Sequence, residues 1–117
     1  MDRKYQRLRV WQEAMKLAEL TYKEIKQLPN SERFGLAEQM RKASISIPSN
    51  IAEGAGRGSD RELLRFLQIA RGSLQELETQ VMLCNRLNLL PVSDTLNESI
   101  NQVFALLSAL INKLKNS

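Results

Sequence analysis

The sequence predicts an all-α protein, an antiparallel up-down-up-down four-helix bundle. Hydrophobic residues make up 43% of the 117-residue chain while aromatics supply only 5%. Leu, Ile, Ala and Met must therefore fill the core, a composition suited to helix-on-helix packing. Apolar residues also recur at helical spacing in four successive segments. Three prolines and five glycines are few, and most stand where a break between those segments is needed. The length fits one domain, residues 1–117, with no internal repeat, linker or low-complexity segment.

The first helix is expected from about Arg9 to Leu28. Val10, Ala14, Leu17, Thr21 and Leu28 mark one face, and Trp11, Met15, Ala18, Tyr22 and Ile25 widen it. Pro29-Asn30 stops this helix, and Ser31 can cap the next. The second helix runs from about Glu32 to Ala55, with Leu36, Met40, Ala43, Ile47 and Ile51 on its seam. Pro48 falls inside it. A proline there removes one backbone hydrogen bond and collides with the carbonyl of Ser44, so a kinked but continuous helix is expected. The segment Gly54-Ala55-Gly56-Arg57-Gly58 ends it, and Ser59 or Asp60 begins the third helix. There Leu63, Leu67, Ala70, Leu74, Leu77, Val81 and Cys84 alternate in steps of four and three, a seam sustained for about three heptads. Pro91 follows its end, and Ser93 or Asp94 caps the fourth helix. Leu96, Ile100, Val103, Leu107, Leu110 and Leu114 repeat the alternation. Short connections make neighbouring helices antiparallel. Counting outward from the glycine loop sets Ala43 and Ser44 opposite Gly72, a small-against-small contact between helices two and three.

Composition removes many kinds of chemistry. Histidine is absent, which excludes Ser-His-Asp and Cys-His catalysis and the Glu-x-x-His pair of di-iron bundles. Cys84 is the only cysteine, so neither an intrachain disulfide nor a multi-cysteine zinc site can form. It is in register with the apolar seam and reads as a buried small hydrophobe. No pair of carboxylates is isolated enough for acid-base work. A non-enzyme is expected, with no catalytic residue, no metal and no cofactor. The glycine loop lacks a Gly-Lys-Ser/Thr ending and joins two helices instead of following a strand, so it reads as a helix terminator and not as a phosphate loop. Ser44, Ser46, Ser49 and Asn50 surround Pro48 and read as structural partners for backbone groups freed there. With no apolar run of membrane-spanning length and no signal peptide, the expected compartment is the cytoplasm.

A formal charge of +4 and a pI near 9.5 are mildly basic. Distribution matters more than the total. On the third helix, Arg57 (where the helix reaches back that far), Arg61, Arg65, Arg71 and Arg86 fall opposite the apolar seam, among Gln68, Gln75 and Thr79. Glu62, Glu76 and Glu78 flank them. An ordinary solvated face and an arginine track for phosphates both fit this pattern. The topology adds a polarity. Both termini and the second loop share one end, which collects Arg3, Lys4, Arg7, Arg9, Arg57, Arg61, Lys113 and Lys115 against Asp2, Glu53, Asp60 and Glu62. The other end, with Lys26, Arg33 and Arg86 facing Glu32, Asp94 and Glu98, is balanced. Contacts to structured RNA or DNA are therefore expected at Arg57, Arg61, Arg65 and Arg71, and at Arg3, Lys4 and Arg7. The alternative is an interaction module that docks a nucleic-acid-processing partner, its basic pole incidental. Aromatics are scarce and Trp11 is placed in the core, which argues against sequence-specific single-strand recognition.

One string carries a resemblance. Ser46-Ile47-Pro48-Ser49-Asn50-Ile51-Ala52-Glu53-Gly54, then Gly56-Arg57, Phe66 and Ala70-Arg71-Gly72-Ser73-Leu74, with Trp11 and Ala14 upstream, resembles the four-helix bundle proteins encoded in intervening sequences of bacterial 23S ribosomal RNA genes. A related group comprises accessory proteins of diversity-generating retroelements, which associate with a reverse transcriptase and with nucleic acid. The resemblance spans nearly the whole chain. It implies a bacterial protein, a four-helix bundle and a homopentameric ring, and it implies no settled activity. Leu64, Met82 and Leu83 agree with an assembly, since they fall outside the seam of the third helix and a monomer would expose them.

Overall fold

Four α-helices make the fold: α1 (Arg9–Ile25), α2 (Leu36–Ala55), α3 (Asp60–Arg86) and α4 (Asp94–Lys115). They are seen in a computed structural model that describes residues 3–117. Short 3₁₀ turns, Lys4–Arg7 and Asn30–Glu32, precede α1 and α2, and no strand occurs among the described residues. Each helix packs on two others. α1 meets α2 and α4, α3 meets α2 and α4, and among the described residues neither diagonal pair brings its Cα atoms within 8 Å. On α2 and α3, Gly54 meets Phe66, Ser46 meets Ser73 and Met40 meets Cys84. Positions fall along one helix as they rise along the other, so the pair is antiparallel. Leu8, Arg9 and Val10 share a surface hollow with Leu106, Leu110 and Lys113, which sets the start of α1 beside the end of α4.

The seams bury as helical periodicity requires, with local shifts. On α1, Val10, Ala14, Leu17, Thr21 and Ile25 are buried, and the helix ends at Ile25. Leu28 is half-buried in the turn beyond, so the step to it on the expected face is replaced by Ile25. Thr21 satisfies its buried hydroxyl by donating to the Leu17 carbonyl at 2.8 Å. α2 starts at Leu36, later than expected. Ser31 lies inside the short 3₁₀ turn, and Gly35, with φ −107° and ψ −109°, occupies the cap position with no side-chain bond. A serine cannot cap a helix from which such a turn separates it. Through Pro48 the helix is unbroken.

On α3, Leu63 is half-buried and Phe66 is buried in its place, ahead of Leu67, Ala70, Leu74, Leu77, Val81 and Cys84. On α4 the alternation holds through Leu107, and then Ile111 is buried while Leu110 and Leu114 are only half so. A straight helix of 3.6 residues per turn drifts off a strict heptad, and a step of four restores contact. The expected contact at Gly72 is absent: nothing lies within 4 Å of where its side chain would start. The glycine that permits close approach is Gly54, inside α2 and buried against Phe66 and Leu63.

Candidate nucleic-acid interface

The turn between α2 and α3 is built by chemistry local to it. Gly56 ends α2 and Gly58 takes the left-handed conformation at φ 85°, which suits a residue without Cβ. Ser59 then caps α3, its hydroxyl accepting from the backbone N–H of Glu62 at 3.2 Å. Asp60 and Glu62 occupy the first turn, where the helix dipole favours acids.

Around this turn the arginines are not equivalent. Arg57 donates from Nη2 to Glu53 at 2.6 Å, and Arg65 donates from Nε to Glu62 at 3.1 Å. Both guanidiniums also lie over the ring of Phe66, at 5.0 and 4.7 Å from its centre. Arg61 is exposed and in no ion pair among the described residues. Arg71 is half-buried. It lies on the flank of α3 and not on its back, because 100° per residue rotates it towards the seam. Arg86 stands in the last turn of α3, beside Thr79, Met82 and Leu83. At 1.5 Å per residue that is nearly 40 Å from Arg61, so the arginines form two groups and no continuous track.

The chain start is brought to the same pole. Tyr5 packs edge-on to Trp11 at 5.4 Å and shares a hollow with Ala52 near the end of α2. The backbone N–H of Arg3 donates to Gln6 Oε1 at 2.8 Å, and Gln12 Nε2 donates to the Gln6 carbonyl at 2.9 Å. These bonds hold the 3₁₀ turn across the bundle end with Arg3, Lys4 and Arg7 exposed. Arg9 and Lys113 line one hollow. Lys113 and Lys115 stand in the last turn of α4, a position the helix dipole alone would favour for cations. Within reach of Arg57 and Arg65, Glu53 and Glu62 are already engaged. Asp2, counted among the acids of this pole, lies outside the described residues.

Two apolar surfaces remain, of which the sequence disclosed only the one on α3. Trp11, placed in the core by its spacing, is half-buried. It lines a hollow of about 650 Å³ between α1 and α2 with Met15, Tyr22, Ile45 and Pro48. The signal was the second apolar row on α1, wider than two neighbouring helices can cover. On α3, Met82 and Leu83 are exposed as expected, joined by Leu87, while Leu64 is half-buried against the core.

Cys84 is buried with its Sγ 3.7 Å from Met40 Sδ. Burial, and then the charge of Glu32, push its thiol up from the ordinary range, which keeps it un-ionised and inert near neutral pH. No described helix is long and apolar enough to cross a membrane. Compared with known families, residues 6–112 match the one described as 23S rRNA-intervening sequence protein. No curated protein matches the chain.

Proposed function

Since the chain belongs to the 23S rRNA-intervening sequence protein family, we propose that it is a non-enzymatic, cytoplasmic, homopentameric module that binds structured nucleic acid through its basic pole. The observation that supports this reading is the gathering of Arg3, Lys4, Arg7, Arg9, Lys113 and Lys115 at the end that also holds the α2–α3 turn. Cations so placed displace counterions from a phosphate backbone without reading bases, which suits a ligand recognised by shape and charge. Each contact is weak, and repetition of the pole around a ring multiplies it.

The test is fluorescence anisotropy of an RNA hairpin at two salt concentrations, with circular dichroism as the folding control. Affinity falls steeply with salt. Joint replacement of Arg3, Lys4 and Arg9 by Gln weakens binding and flattens the salt slope by about one unit for each phosphate no longer neutralised. Replacement of Lys26 and Arg33 at the balanced end changes little. A second reading is favoured by the apolar hollow between α1 and α2, which suits the docking of a nucleic-acid-processing protein. Failure of the parent to bind RNA at low salt leaves that reading in possession.

A further inference from the structure

We infer that Arg57 and Arg65, seated on Phe66, form a two-guanidinium subsite for neighbouring phosphates of a single nucleic-acid strand; this rests on the reading of the pole as a nucleic-acid surface. The two arginines come from different elements, one from the turn and one from α3, yet converge on one ring. Phe66 is 6% exposed and its own position is fixed: α2 approaches it so closely that a Cβ on Gly54 would stand 2.7 Å from the Phe66 Cβ. The ring is therefore a rigid support. Each guanidinium is held beside the ring by its contact with it and by its own carboxylate, Glu53 for Arg57 and Glu62 for Arg65.

Those carboxylates occupy only part of each donor set. A guanidinium has five N–H groups in a fixed fork. Glu53 takes Nη2 of Arg57 and Glu62 takes Nε of Arg65, which leaves Nε and Nη1 of the first and both Nη atoms of the second. The side chains are 46% and 58% exposed. Approach is open as well, because Gly56, Arg57 and Gly58 are all exposed, and beyond its chain neighbours nothing lies within 4 Å of where a Cβ on Gly58 would stand. Both guanidinium carbons lie within 5.0 Å of one ring centre, which bounds their separation to a span that successive phosphates of one strand can cover. Planar forks held at a set spacing do what a loose basic patch does not: they require arginine, and lysine cannot replace it. Phe66 touches no ligand in this scheme and is a positioning residue.

The experiment compares the parent with Arg57→Lys/Arg65→Lys and with Phe66→Leu. RNA-hairpin anisotropy is measured over a salt series, and a pyrophosphate titration is followed by NMR at the arginine Nε–H signals. Thermal melting confirms folding. If Phe66→Leu does not fold, the surface double variant still decides. The double lysine variant is expected to bind the hairpin about tenfold more weakly with an unchanged salt slope, since its charge is unchanged. Phe66→Leu is expected to weaken binding in the same sense. Hairpin binding by the parent that neither variant alters overturns the subsite and leaves the nucleic-acid reading standing. Pyrophosphate shifts at Arg57 and Arg65 without hairpin binding by the parent support the paired seat and overturn the wider reading. Absence of both responses overturns the two together.

Discussion

A Cβ on Gly54 would also meet Leu63 Cδ1 at 3.3 Å, so an alanine there forces α2 away from α3 at the layer that supports Phe66. Gly72 has open space where its side chain would start and lies within the long helix α3, costing backbone entropy with no packing gain. The two glycines should therefore respond oppositely to one substitution. Gly54→Ala is expected to destabilise by about 1–3 kcal/mol through overpacking. Gly72→Ala is expected to stabilise by roughly 0.5–1 kcal/mol. Urea denaturation of both variants checks this, and equal shifts of the same sign would contradict the assigned contacts. Sequence counting chose the wrong glycine because it matched positions along the two helices and not their faces: Gly72 is two residues from both Ala70 and Leu74, about 200° round the helix from the buried seam. The residues of the pole were easier to read, since charge and sequence position alone select Arg3, Lys4, Arg7, Arg57 and Arg61. The i,i+4 spacing of Glu53 and Arg57 and the i,i+3 spacing of Glu62 and Arg65 signal their ion pairs; what no spacing rule discloses is that the two arginines share one ring.

Among the elements, α2 shows how a helix tolerates an internal proline. Pro48 cannot donate to the carbonyl of Ser44. Nearby, the Ser44 hydroxyl donates to the Arg41 carbonyl at 2.9 Å, and Asn50 Nδ2 donates to the Ser46 carbonyl at 2.8 Å. The Ser46 hydroxyl is joined to Ser73 of α3 at 2.8 Å and accepts from Asn50 Nδ2 at 2.9 Å. Polar groups that looked structural in the sequence thus tie α2 to α3 as well as to themselves. A double-mutant cycle of Ser46→Ala and Ser73→Ala is expected to give a coupling of about 0.5–1.5 kcal/mol; strict additivity would argue against the bridge. Capping was legible where serine stands next to its helix, as at Ser59 and Ser93, which accept from Glu62 and Leu96. It was not legible at Ser31, because the intervening 3₁₀ turn and Gly35 depend on backbone geometry that composition does not specify. The end of α3 is closed by Asn88 at φ 57°, with Leu89 N–H bonded to the Cys84 carbonyl and Asn88 N–H to that of Asn85, a termination that Pro91 alone does not disclose.

At the scale of the whole molecule, the square of helices follows from four amphipathic stripes and short connections, which is why the architecture was the most legible feature. The hollow between α1 and α2 was less so, because a second apolar row that a monomer leaves uncovered looks in sequence like one the bundle buries, whereas Met82 and Leu83 stand visibly outside the α3 seam. Trp11, Met15, Tyr22 and Ile45 on one side, and Met82, Leu83 and Leu87 on another, remain in contact with water in the isolated chain. Apolar area of this kind favours assembly when another surface can cover it. The proposed homopentamer therefore predicts linked losses. Light scattering of the parent at micromolar concentration should report an oligomer, and Met82→Glu/Leu83→Glu should shift it towards monomer while helicity by circular dichroism is retained. Neither residue belongs to the basic pole, so each dissociated subunit keeps every cation proposed to meet phosphate. RNA-hairpin affinity should nonetheless fall by at least about a hundredfold, because contacts that were intramolecular around the ring become independent and avidity disappears. The salt slope should fall with it, since fewer phosphates are neutralised per bound particle. A parent that scatters as a monomer refutes the assembly outright. An oligomer whose dissociation leaves affinity and salt slope unchanged would show instead that a single pole suffices for binding.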